Sequence, residues 1–206
     1  MNSDHSLRFF EQQFQQQLRE RDFKLNAFEE AALAHLRGRV LDFGCGMGNL
    51  AIAAARRGCS VVALDASPTA ISHIRDRAAA EALAIEAFQA DLRSYRIAED
   101  FDAVVSIGLL MFFDCATALQ VLSDLQARVR SGGIAVVNVL VEGTTYLDMF
   151  DPGNYCLFSR AELESRFAGW NLLVSEYRDF EAPGQRIKSF ATVIARKHPA
   201  PGAPAP

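Results

Sequence analysis

The fold is decided by the stretch Val40-Leu41-Asp42-Phe43-Gly44-Cys45-Gly46-Met47-Gly48-Asn49. Its apolar start predicts a short buried strand. Its three alternating glycines predict a tight turn into a helix, where the backbone can approach a ligand closely. The G-x-G-x-G spacing differs from the G-x-G-x-x-G spacing of a dinucleotide site. Asp42, just before the first glycine, would repel a pyrophosphate and attract a cation, so the stretch predicts a site for a nucleoside with a positive group.

Strand and helix patterns alternate on both sides of this stretch. Short apolar runs, typical of strands buried on both faces, predict strands over residues 39–43, 61–64, 85–90, 101–107 and 134–141. Helical patterns cover residues 1–36, 50–57, a segment opened by Ser67-Pro68, and residues 114–130. Ser131-Gly132-Gly133 is predicted as a turn. The alternation predicts an α/β fold with a doubly wound, mostly parallel sheet.

The last third of the chain breaks this alternation. Residues 142–158 predict a long irregular loop, and Ser159 and Glu162 form the capping-box pattern of a short helix. Two strand patterns joined through a Pro-Gly pair predict a C-terminal antiparallel hairpin, over residues 172–180 and 186–196. We expect one domain over residues 37–197, the helical segment 1–36 as part of it and a candidate lid, and a disordered tail over residues 198–206.

Composition and charge argue against several classes of function and location. The chain has 206 residues, 50% of them apolar, and a net charge of -4, which argues against binding nucleic acid through phosphate neutralisation. The N-terminal residues lack a signal-peptide pattern, and no apolar run approaches the ~20 residues of a membrane helix. We therefore expect a cytoplasmic protein without membrane contact. No C-x-x-C pair is present, so reduced thiols and no metal site are expected for Cys45, Cys59, Cys115 and Cys156.

Asp65 adds a second polar position at the predicted ligand site. It follows the apolar run Val61-Val62-Ala63-Leu64, at the carboxyl end of the second strand. A carboxylate there can accept hydrogen bonds from both hydroxyls of a ribose, as it does in NAD enzymes. Asp65 therefore supports a nucleoside ligand without choosing between nucleoside cofactors.

The motif Asp42-Phe43-Gly44-Cys45-Gly46-Met47-Gly48 resembles the first motif of class I S-adenosylmethionine (SAM)-dependent methyltransferases. The resemblance implies a Rossmann-like sheet of seven strands, SAM as cofactor and S-adenosylhomocysteine as product. It implies adenine contacts from residues after the second and third strands, and contacts to the amino-acid end of SAM from the fourth strand. The implied cofactor residues are Asp42, Gly44, Cys45, Gly46, Gly48, Asp65, Ala66, Asp91, Leu92, Ser106 and Ile107.

Four further stretches are similar to the tellurite-resistance methyltransferases: residues 110–113, 158–163, 167–170 and 186–197. This resemblance implies a small-molecule acceptor, such as a metalloid oxyanion or a thiol. The predicted hairpin lacks the His-Arg pair of that family, which leaves metalloid oxyanions and small organic acceptors both open. An N-P-P-[FYW] motif, often found in methyltransferases that act on nucleic acids, is absent after the fourth strand.

The acceptor is expected near the long loop, which faces the cofactor end of the sheet. Aromatic faces stabilise a sulfonium, so Tyr146 and Tyr155 are candidate catalytic residues, and Glu142 is a candidate base. The N-terminal aromatic residues Phe9, Phe10 and Phe14 suit a lid. The chain is expected to act as a monomer or homodimer. An NAD-type oxidoreductase and a non-catalytic SAM-binding module remain alternative functions.

Overall fold

The computed structural model describes residues 5–199 of the chain. These residues form a seven-stranded sheet in the order β3-β2-β1-β4-β5-β7-β6. The strands are β1 (Arg39–Phe43), β2 (Ser60–Asp65), β3 (Ile85–Gln89), β4 (Phe101–Ile107), β5 (Val129–Leu140), β6 (Asn171–Ala182) and β7 (Arg186–Arg196). The helices are α1 (His5–Glu20), α2 (Ala27–Leu33), α3 (Asn49–Arg56), α4 (Pro68–Glu81), α5 (Cys115–Ala127) and α6 (Arg160–Ser165), with a 3-10 turn over Leu110–Phe112.

The sheet is parallel from β3 to β5, and β7 runs antiparallel to both β5 and β6. Both of its faces are covered by helices because its inner strands bury apolar side chains on both faces. In β2, Val61 packs in a cluster with residues of α3 and α4, whereas Val62 packs in a cluster with residues of α5. The predicted doubly wound sheet with a C-terminal antiparallel hairpin is confirmed.

The predicted helix starts follow from side-chain capping. Ser67 Oγ accepts a hydrogen bond from Ala70 N at 3.0 Å, and Asp114 Oδ1 accepts one from Thr117 N at 3.0 Å. The turn predicted at residues 131–133 is wrong, because these residues lie inside β5. The pairing of β5 with β4 shifts register there, and Gly132 has a φ of +76°. The glycines thus form an irregularity within a continuous strand, and α5 ends earlier than expected.

The expectation of four reduced thiols is wrong for one pair. Cys115, at the start of α5, and Cys156, in the long loop, form a disulfide across a separation of 41 residues. The loop folds back along the turn that precedes α5, where Cys156 N donates to Met111 O at 3.0 Å. This return is a tertiary contact that spacing alone does not reveal. Cys45 and Cys59 are free and buried.

The ends of the chain are described only in part. α1 and α2 account for most of the predicted helical segment 1–36, of which residues 1–4 lie outside the described part. Most of the predicted tail, residues 200–206, also lies outside it. No helix within residues 5–199 is long and apolar enough to cross a membrane.

Candidate functional site

A cavity of about 700 Å³ lies at the carboxyl ends of the parallel strands, within the size range of ligand pockets. One wall, the motif side, is formed by the loops that follow β1 to β4. Its residues are Asp42, Gly44, Cys45, Gly46, Asp65, Ala66, Asp91, Leu92 and Ile107. A second part of the lining, the lid side, comes from α1, α2 and the β6–β7 hairpin. Its main residues are Phe10, Phe14, Phe28, Phe180, Lys188 and Phe190.

The glycine loop on the motif side is held by the neighbouring strand. Gly44 N and Cys45 N both donate to Leu64 O, at 2.8 and 3.0 Å. Gly48 ends the loop with a φ of +74°, and a Cβ there would lie 2.4 Å from Cγ1 of Ile74. Only glycine fits this position, because any other residue would strain the left-handed backbone and its Cβ would clash with the buried Ile74.

The motif side is acidic and poorly solvated. Asp42 is buried, and no hydrogen-bond partner of its Oδ2 lies within residues 5–199. Burial, followed by the charges of Glu29 and Asp65, raises the pKa of Asp42 to about 8. Burial also raises the pKa values of Asp65 and Glu29. A buried carboxyl group without a partner is costly, so this wall favours a ligand that brings a cation.

Asp65 is positioned by backbone amides at the end of β2. Its Oδ2 accepts from Gly46 N at 2.9 Å, and its Oδ1 accepts from Ser67 N at 2.9 Å. A carboxylate has about four acceptor positions, so each oxygen can still accept another hydrogen bond. The side chain is thus fixed in the lining and remains able to accept from a ligand hydroxyl.

Nine of the eleven residues predicted to bind the cofactor line the cavity, and Gly48 and Ser106 are the two that do not. Gly48 is the N-cap of α3, behind the lining. Ser106 is buried in β4, and its Oγ has no hydrogen-bond partner among the described residues. Contact with a cofactor stays a prediction for all eleven residues. Residues 5–199 contain no group of three or more His, Cys, Asp or Glu side chains placed to hold a metal.

The three candidate catalytic residues lie outside the lining. Tyr155 stacks on Phe150, with 4.7 Å between ring centroids. The ring of Tyr146 lies beside two cations, with the guanidinium of Arg186 at 4.7 Å and Lys188 Nζ at 4.6 Å. Glu142 is exposed just after β5. All three belong to the region of the loop, and their catalytic roles stay predictions.

α1 forms a cover across both walls of the cavity. At its start, His5 N donates to Asp151 Oδ1 of the long loop at 2.8 Å. In its middle, the ring of Phe10 meets that of Phe112 edge-on at 5.0 Å. On its other side, Glu11 accepts a hydrogen bond from Ser67 Oγ, next to the glycine loop. α1 therefore lies where a lid would lie.

Sequence reasoning missed the residues that the C-terminal strands bring to the cavity. Lys188 and Phe190 of β7 line the cavity. Thr192 follows on the same strand face, and its Oγ1 accepts from Nδ2 of the buried lining residue Asn138 at 2.9 Å. Phe180 is the register partner of Lys188 on β6. The sequence signal for this arrangement was the alternation of side chains along β7, which places Lys188 on the same strand face as Phe190 and Thr192.

Comparisons with known proteins agree with this geometry. Residues 40–133 match the model of a family described as a methyltransferase domain. A protein named hemagglutinin 1 of Eikenella corrodens is 29% identical over 178 residues, which cover 84% of this chain and 59% of that protein. A probable SAM-dependent methyltransferase named TehB, of Haemophilus influenzae, is 27% identical over 166 residues, which cover 77% of this chain and 57% of that protein. The chain thus spans less than two thirds of the length of these relatives.

A solved structure extends the comparison to the fold. The crystal structure of TehB from Haemophilus influenzae is 22% identical and superposes with a TM-score of 0.72. The match covers 84% of this chain and 62% of the TehB chain. The two proteins therefore share their fold.

Proposed function

We propose that this chain is a class I SAM-dependent methyltransferase that transfers a methyl group from SAM to a small-molecule acceptor, because residues 40–133 match a methyltransferase domain and the chain is similar to TehB. The resemblance to this family is confirmed, and SAM is the cofactor of the class. The acceptor, including the metalloid oxyanion or thiol expected from the sequence, belongs to the proposal. We also propose that the protein is a cytoplasmic monomer or homodimer that does not bind nucleic acid.

One observation carries the proposal: the buried Asp42 carboxyl group, whose Oδ2 has no partner within residues 5–199, beside a glycine loop. SAM carries an ammonium and a sulfonium group, either of which would satisfy this carboxylate. The pyrophosphate of a dinucleotide would instead add negative charge beside Asp42, Asp65 and Glu29, whose ionisation is already unfavourable. The charge of the motif side therefore supports SAM over NAD.

The other residues of the motif side have distinct roles in this proposal. Asp65 would accept hydrogen bonds from the ribose hydroxyls, and the lining residues Ala66, Asp91 and Leu92 would contact adenine. The glycine loop would let the cofactor approach the backbone closely. Ser106 and Ile107 would support the amino-acid end.

Bound SAM supplies an already activated methyl group, which a nucleophile displaces directly. The chain therefore has to align the acceptor and exclude water, and proximity can supply much of the catalysis. α1 would do this by covering the cavity. A deprotonated thiol or oxyanion needs no general base, whereas a protonated acceptor does, and Glu142 stays a candidate for that role.

Calorimetry with S-adenosylhomocysteine tests the cofactor assignment. We expect binding to the wild type, and we expect Asp65→Ala to weaken it by about 1.5–3 kcal/mol through lost hydrogen bonds to a charged group. Asp124→Asn, which removes an exposed carboxylate of α5 outside the cavity lining, is the control and should bind like the wild type. Unchanged affinity of a folded Asp65→Ala variant would contradict the role of Asp65. Binding of NADH without S-adenosylhomocysteine binding would instead support the oxidoreductase.

Transfer itself is tested with methyl-labelled SAM and a panel of acceptors: selenite, tellurite and small organic thiols. Protein-dependent label in the product, volatile in the case of metalloids, supports the proposed reaction. Tight binding of S-adenosylhomocysteine without transfer to any of these acceptors would favour a non-catalytic SAM-binding module.

A further inference from the structure

We propose that Lys188 selects the acceptor by binding its anionic group, and that the acceptor is a small organic anion whose apolar body lies against Phe28, Phe180 and Phe190. This inference rests on the proposed function, because it assigns the second ligand of the same cavity. It names a specificity-determining residue and narrows the chemical class of the acceptor.

Lys188 is a cation that lacks an anion. Within residues 5–199 its ammonium group has no hydrogen bond or ion pair, and its contact is the face of Tyr146 at 4.6 Å. Burial lowers its pKa, which reflects the loss of water around the ammonium group. Its neighbour Arg186, in contrast, is paired with Asp148, where Nη2 donates to Oδ2 at 2.8 Å. Lys188 is therefore the partly buried cation of the hairpin that remains available to a ligand.

The other cations of the lining are placed differently. Lys24 is exposed on the segment between α1 and α2. Arg93 follows the motif-side residue Asp91, and its Nη1 lies 3.9 Å from Asp91 Oδ1. Lys188 belongs to the lid side, on β7, and β4 and β5 separate β7 from β1 and β2, the strands of Asp42 and Asp65. An anion held by Lys188 would therefore lie in the same cavity but apart from these two carboxyl groups.

The surroundings of Lys188 favour an organic anion over an inorganic one. Phe28, Phe180 and Phe190 form a three-ring cluster, with centroid distances of 5.6, 5.0 and 5.7 Å. Phenyl rings offer no hydrogen-bond donors, so a small hydrated oxyanion would lose water there without replacement. An aryl or alkyl group would instead bury apolar surface against the same rings.

A thiolate is one acceptor that satisfies both parts of the site. Its sulfur electron pair forms the new bond to the methyl carbon as the sulfonium carbon–sulfur bond breaks. The released electron pair stays on the sulfur of S-adenosylhomocysteine, so the step needs neither a proton acceptor nor a redox partner. Lys188 would favour the ionised thiol by its charge.

Binding to the protein saturated with S-adenosylhomocysteine tests the proposal. The probes are benzoate, benzenethiolate, the neutral benzamide, and the small anions acetate and selenite, measured by calorimetry or ligand-observed NMR. We expect benzoate or benzenethiolate to bind at least tenfold more tightly than benzamide, acetate and selenite. Lys188→Met should weaken that binding about tenfold or more, whereas Lys188→Arg should retain most of it.

Two controls separate this proposal from the proposed function. Arg178→Met removes an exposed cation of the same hairpin, outside the lining, and should bind the probes like the wild type. The affinity of Lys188→Met for S-adenosylhomocysteine should stay within about twofold of the wild type, which excludes misfolding. Failure of the wild type to bind S-adenosylhomocysteine would overturn the proposed function itself.

Three results would overturn the inference while the cofactor still binds. The first is equal binding of aryl anions by Lys188→Met and the wild type. The second is selenite or acetate binding as tightly as benzoate. The third is an absence of binding by both aryl anions.

Discussion

The motif side and the lid side line the same cavity but are assembled in opposite ways. The motif side comes from consecutive short loops at the ends of β1 to β4, between Asp42 and Ile107. The lid side joins α1 to β7, so Phe10 and Lys188 meet the same cavity from nearly opposite ends of the described chain. The first wall depends on local turn geometry, and the second depends on packing between distant segments.

The two walls also differ in chemistry. Asp42 and Asp65, whose pKa values are raised, lie on the motif side, whereas the phenyl rings, the partly buried Lys188 and Glu29 of α2 lie on the lid side. This difference matches a cationic cofactor on one wall and an apolar anion on the other. Substitutions on the motif side should therefore affect cofactor binding and the pH dependence of stability. Substitutions on the lid side should affect acceptor binding and the motion of α1.

The largest expected effect is the pH dependence that Asp42 confers on the cofactor-free protein. Its pKa rises from 3.8 to about 8 on folding, which corresponds to on the order of 5 kcal/mol. Because the folded protein binds the proton more tightly, this stability is fully present below pH 4. It is lost as the pH rises through about 8. Urea unfolding between pH 4 and 8.5 should show the decline.

Asp42→Asn tests the origin of that decline. The variant should show a flatter pH profile and greater stability than the wild type near pH 8, with a residual slope from Asp65 and Glu29, whose pKa values are also raised. Lys188→Met should leave the slope over this range unchanged. Identical profiles for Asp42→Asn and the wild type would contradict the assignment.

The disulfide gives the next largest effect and acts on the long loop, which it ties to the start of α5. Closing a loop with a separation of 41 residues corresponds to roughly 4 kcal/mol in the chain-entropy model. The double variant Cys115→Ser/Cys156→Ser should lose stability of about that size in chemical unfolding. A reducing agent should destabilise the wild type and leave the double variant unaffected. Equal sensitivity of both proteins to reductant would show that the bridge does not form.

Gly48→Ala should destabilise the motif side by about 3 kcal/mol. The new Cβ would collide with the buried Ile74 while the backbone stays left-handed. Gly58→Ala is the matched control, because Gly58 has a φ of +90° and nothing within 4 Å of a Cβ. Gly58→Ala should lower the free energy of unfolding by only about 1 kcal/mol. Equal losses of stability in the two variants would show that the left-handed backbone, rather than the collision with Ile74, causes the loss.

The smallest expected effect concerns the start of α1. Asp151→Asn weakens the contact with His5 N and should cost about 1 kcal/mol or less, confined to the lid. Hydrogen exchange of α1 amides should speed up while that of β1 and β4 stays constant. Asp124→Asn, remote from α1, should change neither. Uniform acceleration across the sheet would indicate global destabilisation instead.

Sequence patterns predicted the features that are encoded locally. The mainly apolar strands, the caps at Ser67 and Asp114, and the glycine loop follow from neighbouring residues, so their prediction needed no tertiary information. The Cys115–Cys156 bridge depends on how the long loop folds back towards α5. The position of Lys188 in the cavity lining depends on how the hairpin packs against the sheet. Tyr146 was identified as a candidate because it is aromatic, but it packs beside Lys188 outside the lining.

The position of β7 has a consequence for the order in which the protein is made. β7 lies between β5 and β6, although it comes after both in the chain. During synthesis β6 therefore emerges before the strand that holds it, and the apolar edge of β5 stays open to other chains until β7 arrives. The wall formed by Phe180, Lys188 and Phe190 is completed in the same step. A nascent chain therefore completes its glycine loop well before it can hold the proposed acceptor.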